Sequence, residues 1–217
     1  MEKIKYTVLI LLIMVSSCSN DDVQITGSGV ITSEERIVGT FNNILAPSSI
    51  NINVSYGTSQ NITVKADDNI INRISTALNN NMLTIDLMQG NYNNITANVN
   101  IIVPSISEIK STGSGDIVNS GFLNLDGITF INSGSGSITA SGSSNTISVD
   151  NLGSGSFKGF NFITENSTIN SSGSGSCEVF SNNTLTGVLT GSGSIFYKGS
   201  ATVTISDTGS GNVVNSN

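Results

Sequence analysis

Gly113-Ser114-Gly115-Asp116-Ile117 returns along the chain as Gly134-Ser135-Gly136-Ser137-Ile138, Gly153-Ser154-Gly155-Ser156-Phe157 and Gly173-Ser174-Gly175-Ser176-Cys177. It comes back twice more, as Gly191-Ser192-Gly193-Ser194-Ile195 and Gly209-Ser210-Gly211-Asn212-Val213. The intervals are 21, 19, 20, 18 and 18 residues. Each copy is followed by one variable residue and then an apolar one. Self-similarity at a period near 20 is the mark of a solenoid. A flexible Gly/Ser linker would not hold an apolar residue at a fixed offset through six copies.

The segments between the glycines are rich in Ile, Val, Thr, Phe and Ser, and they alternate at period two, as in Thr146-Ile147-Ser148-Val149 and Ala201-Thr202-Val203-Thr204-Ile205. That is strand patterning. At about 3.3 Å per residue, one period suits a coil of three short strands and three bends, each coil about 4.8 Å above the last. The expected fold is all-β: a right-handed parallel β-helix, or solenoid, with stacked Gly-Ser-Gly bends, preceded by a less regular β region. In this reading glycine serves the bends through positive φ and through close backbone approach. The apolar residue after each bend points inward.

Toward the N-terminus, Met1-Glu2-Lys3-Ile4-Lys5 is a basic start and Val8 to Val15 an unbroken apolar run. The run is shorter than the ~20 residues that span a bilayer, so residues 1–17 read as a secretory signal peptide. Val15-Ser16-Ser17-Cys18 resembles the lipobox of bacterial lipoproteins, which implies cleavage before Cys18 and acylation of its thiol with palmitate-type chains. Removal of Glu2, Lys3 and Lys5 with the signal takes the chain from 8 basic and 15 acidic residues to six and fourteen, a net charge of −8. Such a surface argues against nucleic acid and against electrostatic docking on anionic membranes. Membrane attachment is therefore expected through the lipid alone, each buried methylene contributing about 0.8 kcal/mol. Ser19-Asn20-Asp21-Asp22 resembles the acidic export tag of lipoproteins sent to the outer face of the outer membrane. A plain solvated tether on the periplasmic face is the alternative.

Gly27 to Ile44, the Val99-Asn100-Ile101-Ile102-Val103-Pro104 segment and the Gly-Ser-Gly copies together resemble the putative auto-transporter adhesin head domain, or GIN domain, over about residues 27–215. The resemblance implies a β-helical extracellular protein, often a lipoprotein, with adhesion suggested by the family name. It brings no catalytic residues. Read from its own residues, this half has strand alternation at Ser49–Val54, Gln60–Lys65 and Met82–Leu87, with turns at Tyr56-Gly57 and Asn79-Asn80-Asn81. Between Asp67 and Leu78, the spacing of Ile70, Ile71, Ile74 and Leu78 fits a short helix capped by Asp67-Asp68; a strand crossover fits as well. Pro104 ends the last strand before the ladder. The organisation is thus a signal peptide (1–17), a lipidated tether (18–26), an irregular β region (27–108) and the repeat β-helix (109–217), with the internal boundary near Pro104 to Thr112.

The chain has no histidine, which removes the usual general base and the commonest transition-metal ligand. Gly-Ser-Gly lacks the Lys-Ser/Thr ending of a phosphate loop. Asp116 occurs in one copy only, so a calcium ladder is not expected. Asp126, Asp150 and Glu165 fall in different coils at different places and form no evident cluster. Glu34-Glu35 and Asp67-Asp68 are sequence neighbours, and on a strand neighbours point to opposite faces. Cys177, left without a partner once Cys18 is acylated, fills an inward apolar slot as a small hydrophobe. No catalytic residue, metal or cofactor is therefore assigned, and Cys18, as the lipidation site, is the one functional residue. Two functions remain: a surface-anchored, adhesin-like binding module for a glycan or protein, or a structural envelope lipoprotein with no ligand. A polysaccharide-active enzyme is third. The repeats close at Val213-Val214 with only Asn215-Ser216-Asn217 beyond them, so the last rung is expected to be bare. Covering it would take an end-to-end homodimer or a partner.

Overall fold

The computed structural model describes residues 23–217. The signal segment, Cys18 and the start of the tether lie outside the described residues. The N-terminal strands are β1 (Ile25–Thr26), β2 (Ile31–Glu35), β3 (Asn43–Ala46), β4 (Asn51–Tyr56) and β5 (Asn61–Asp67). After a 3₁₀ turn at Ile71–Arg73 come β6 (Ile74–Asn79), β7 (Met82–Leu87), β8 (Tyr92–Asn93), β9 (Ala97–Val103) and β10 (Glu108–Ser111). The repeats supply β11 (Ile117–Asn132), β12 (Ile138–Asn151), β13 (Phe157–Ser171), β14 (Cys177–Leu189), β15 (Ile195–Lys198), β16 (Thr202–Asp207) and β17 (Val213–Asn215). The result is nearly all-β, a β-solenoid of about five turns led in by less regular strands.

The long repeat strands bend twice. In β13 the inward residues are Phe157 and Gly159, then Phe162 and Thr164, then Ser167, Ile169 and Ser171. The alternation slips by one residue between Gly159 and Phe162 and again between Thr164 and Ser167, where pairing with β14 also shifts register. A strand keeps one face inward only while the count stays even. Each slip is therefore a corner. With the Gly-Ser-Gly bend as the third, each full coil has the three sides that its length suggested.

Parallel pairing in register turns each inward position into a column. On the first side Ile52, Ile117, Ile138, Phe157, Cys177, Ile195 and Val213 stack coil on coil. On the third side the column runs Leu83, Ile44, Ile109, Phe130, Val149, Ile169. Phe130 fills the axis, its ring 5.1 Å from Phe157 and 5.9 Å from Phe162, the latter edge-on. Each such buried side chain contributes roughly 1.5–3 kcal/mol over leaving it exposed.

The bends stack as closely as the strands. The Ser135, Ser154, Ser174, Ser192 and Ser210 N–H groups each donate to the carbonyl of the first glycine one coil below, at 3.0–3.1 Å. A Cβ placed on any of the twelve ladder glycines would fall 1.9–2.3 Å from a carbonyl oxygen of the preceding coil. None of these glycines has positive φ. This corrects half of the expected reason for them: close approach, and not left-handed backbone, excludes a side chain.

Two further ladders flank the bend. The residue after each Gly-Ser-Gly is not free to vary: Asn51, Asp116, Ser137, Ser156, Ser176 and Ser194 each accept, through a side-chain oxygen, the N–H one coil above, the last from Asn212, at 2.8–3.3 Å. Two residues before the first glycine of four bends stands a buried polar column of Ser111, Asn132, Asn151 and Ser171. Asn132 Nδ2 donates to the Gly136 carbonyl at 3.0 Å and Asn151 Nδ2 to that of Gly175 at 2.9 Å, which satisfies two carbonyls turned inward by the bends, while Ser111 Oγ, Asn151 Oδ1 and Ser171 Oγ are buried without a partner.

The irregular half joins the same stack. Ser48 to Ile50 lies directly under Gly113 to Gly115 as a first, serine-bearing bend, and β4 and β3–β10 extend the first and third sides. One core and one main sheet run through the boundary near Pro104. Between Asp67 and Leu78 there is no α-helix; the 3₁₀ turn gives way at once to β6, which pairs antiparallel with β7. β-Branched Ile74 and Thr76 suit the strand, and Asn80 and Asn81, both at positive φ, close the two-residue hairpin onto β7. Asp67 caps no helix. Its buried carboxylate accepts the Gly29 N–H at 2.8 Å and the Thr96 N–H at 2.6 Å, pinning the first Gly-Ser-Gly, Gly27 to Gly29, to the β5–β9 pair. At the far end Asn217 bonds reciprocally with the Gly199 backbone, so the terminal asparagines clasp the last coil and are not merely polar filler.

Gly155→Ala is expected to cost about 3 kcal/mol, the upper part of the range for overpacking, because the clashing atom is backbone. Ser154→Ala, at an exposed hydroxyl whose N–H survives, should cost under about 0.5 kcal/mol. Thermal melts of the two variants compare them directly; equal losses would contradict close approach as the reason for glycine.

Candidate functional site

The repeat is least regular at the corner that follows the first side of β11. Gly121 (φ +81°) and Asn124 (φ +56°) both turn the backbone left-handed, a conformation that glycine and asparagine tolerate. Non-glycine strain of this kind gathers at functional surfaces. The Asn124 N–H is held by Ser143 Oγ at 2.9 Å. Leu123, between the two, is thrown outward and stands 68% exposed.

Two shallow clefts lie here, one at this corner and one along the short second side to the corner after it. One, of about 270 Å³, lies between Tyr56, Gly121 and Leu123; Tyr56 is 52% exposed and packs its ring edge-on against Phe122 at 6.0 Å. The other, of about 350 Å³, is lined by Asn124, Asp126, Ser143, Asn145, Ile163 and Glu165. Ile163 is 47% exposed. Gly127, Thr146 and Asn166 pair in register, so the residues just before them, Asp126, Asn145 and Glu165, occupy one corner position in three successive coils. The spacing of about 4.8 Å per strand puts the two acidic backbones about 10 Å apart with an amide between them.

This overturns the expectation that Asp126 and Glu165 fall at different places. Counted from the preceding bend the two look out of phase, but Asp126, Asn145 and Glu165 each stand at the same offset before the following one, at Gly134, Gly153 and Gly173. Asp150 does stand apart, on the outer third side beside Asn170. Glu34 pairs with Arg36 at 2.8 Å on an exposed strand. Asp67 is spent on backbone N–H groups and Asp116 on the side-chain ladder. Among the described residues no three of His, Cys, Asp and Glu come together as a metal site. Cys18 lies outside the described residues.

What the corner can do chemically follows from its groups. Two carboxylates and an asparagine offer acceptors and one amide donor to hydroxyl or amide groups, while Tyr56, Leu123 and Ile163 offer apolar contact. Both carboxylates are exposed to water, and no cation lines the cleft. The sequence carried two signals for this surface, the phase break at Gly121 to Asp126 and the common offset of Asp126, Asn145 and Glu165 from the following bend, the second hidden when the count runs from the preceding one.

Residues 40–201 match the family described as putative auto-transporter adhesin, head GIN domain, and the chain belongs to that family. It is similar to the solved structure of a putative adhesin from Bacteroides fragilis, with a TM-score of 0.74 and 22% identity over 88% of this chain and 100% of that one. A putative adhesin from Parabacteroides merdae gives 0.55 at 18% identity, covering 90% and 100%. A protein described as a putative lipid binding protein, from Parabacteroides distasonis, gives 0.55 at 19% identity, covering 88% and 99%. At these identities the likeness is one of fold. No curated protein matches the chain.

Cys177 is fully buried in its column, and burial pushes its thiol up to about 12, weakly opposed by the polar side chains of Ser171 and Asn151 beside it. The unfolded thiol ionises near 9. Above that pH the unfolded state loses a proton that the folded state keeps, so stability is intact below pH 9 and falls as pH rises toward 12, by up to about 4 kcal/mol. Cys177→Val should flatten this alkaline limb. Urea unfolding at pH 8 and pH 10.5 tests it, and a limb unchanged by the substitution would contradict the buried-thiol account.

Proposed function

We propose that the chain is a surface-anchored bacterial lipoprotein, held to the outer membrane by acyl chains on Cys18, and that it works as an adhesin-like, non-enzymatic binding module for a glycan or protein partner. The corner around Leu123 is its contact surface. The observation that carries this reading is the juxtaposition of exposed Tyr56, Leu123 and Ile163 with the Asp126–Asn145–Glu165 column. Exposed apolar side chains rimmed by polar groups mark interaction sites. Membership of an adhesin-like family supports a cell-surface role, although fold alone does not assign function.

One observation favours a second reading. Asp126 and Glu165 share a cleft across about two coils, a separation of backbones compatible with paired acid and base chemistry on a polysaccharide. Their exposure and the lack of a third polar charge in the cleft weigh toward binding. A structural envelope lipoprotein without a ligand is what remains if neither binding nor cleavage is found.

Glycan and protein arrays probed with residues 19–217 are expected to give a ligand whose signal falls at least tenfold in Leu123→Ser and in Asn145→Ala, about 1.4 kcal/mol or more. Binding that both variants keep would move the site elsewhere; silence on both arrays would favour the structural reading. Release of reducing sugar, lost in Glu165→Gln, would instead favour the enzyme. For the anchor, Cys18→Ala should abolish incorporation of labelled fatty acid, and label retained by the variant would end the lipoprotein reading.

A further inference from the structure

We propose that the N-terminal end of the solenoid rests directly on the lipid surface, so that the coils stand up from the membrane and carry the Leu123 corner away from it. The inference rests on the lipoprotein reading of Cys18.

At this end the stack is finished by β6, beyond β7, and by β2, beyond β5. Both outer strands and the loops beside them expose large apolar side chains. Ile37 is 100% exposed, Met88 57%, and Val30, Ile31 and Leu78 are exposed as well. These residues are held, not loose. Arg36 Nη2 donates to the Ile71 carbonyl at 3.1 Å, Gln60 Nε2 donates to the carbonyls of Val38 and Gly39, and Gly39 lies against Leu78 Cδ2. The Met88 N–H donates to the Arg73 carbonyl at 2.9 Å. Ile37, Leu78 and Met88 are thereby fixed to the same terminal layer.

The occupant is identified by the tether. Val23 opens the described chain beside a cleft of about 480 Å³ formed with Gln89, Gly90 and Asn91, immediately after Met88. Cys18 is five residues upstream of Val23, and five residues span at most about 18 Å. Acyl chains on Cys18 thus hold this apolar end within reach of the bilayer surface. The chain's net negative charge gives no electrostatic attraction to anionic lipid, so apolar side chains entering the headgroup boundary are the contact left to it. From β6 to β16 the sheet path crosses eight strand spacings, about 38 Å, which sets Thr204 far from the surface in this orientation.

The test uses the full lipidated protein in phosphatidylcholine vesicles containing a nitroxide-labelled lipid. In a Cys177→Val background, an environment-sensitive fluorophore is placed at Ile37→Cys, Met88→Cys or Thr204→Cys. Mass spectrometry confirms the lipid on Cys18, and melts confirm that each labelled protein is folded. The expected result is loss of most fluorescence at positions 37 and 88 and none at 204. Unquenched probes at 37 and 88 in lipid-bearing protein would overturn the docking while leaving the lipoprotein reading in place. Equal quenching at all three would overturn the upright orientation. Absence of lipid on Cys18 would remove both.

Discussion

The structure depends on the approach of one Gly-Ser-Gly bend to the next. With a coil-below carbonyl about 2 Å from where each Cβ would sit, the bend leaves no room for a side chain at either glycine. That contact lets the serine N–H reach across at 3.0–3.1 Å, and it sets the vertical spacing that the strands on either side share. Because the constraint recurs six times on one edge, the inward residues of each coil have no choice but to stack on their equivalents. The hydrophobic columns are a consequence of the bend as much as a cause of the fold.

A stack of this kind has two ends, and the chain treats them differently. The C-terminal end stops with short strands and an asparagine clasp between Asn217 and Gly199. The N-terminal end is built from the less regular half, which supplies a serine-bearing bend at Ser48 to Ile50, antiparallel strands β2, β5 and β6, and the Asp67 carboxylate as a fastening for Gly27 to Gly29. Antiparallel pairing ends the repeat and makes this half a lid. Its core is nonetheless continuous with the coils, through Leu83 and Ile44 under Ile109 and Phe130.

Function in a solenoid of this regularity is to be sought where the regularity fails. The sides repeat inward residues and spend the polar groups beside the bends on one another. The short side from Gly121 to Asp126 is different, since left-handed residues push Leu123 out beside exposed Tyr56 at one of its corners, and the Asp126–Asn145–Glu165 column stands at the other. The serines, so numerous in the sequence, prove to be largely structural: their N–H groups bind the coil below in the bends, and after the bends their hydroxyls accept from the coil above.

What the sequence determined by itself was the architecture. The period near 20, the strand alternation and the glycines dictate a three-sided β-solenoid, because each is a local constraint repeated at fixed spacing. Sequence also placed Cys177 inside, since its slot is filled elsewhere by Ile, Phe or Val. Three things required the tertiary structure. The fate of Ile70 to Leu78 depended on β7 being available as an antiparallel partner, which periodicity cannot weigh against a helix. The side-chain ladder of Asn51, Asp116 and the serines is invisible until coils are superposed, because each hydrogen bond joins residues 18 to 65 apart. The surroundings of Asp126 and Glu165 were decided by the corners: the two carboxylates keep one offset from the following Gly-Ser-Gly in the sequence, but only the register shifts between Asn119 and Leu125, where the longer coil absorbs its extra residues, turn Leu123 outward on the same short side.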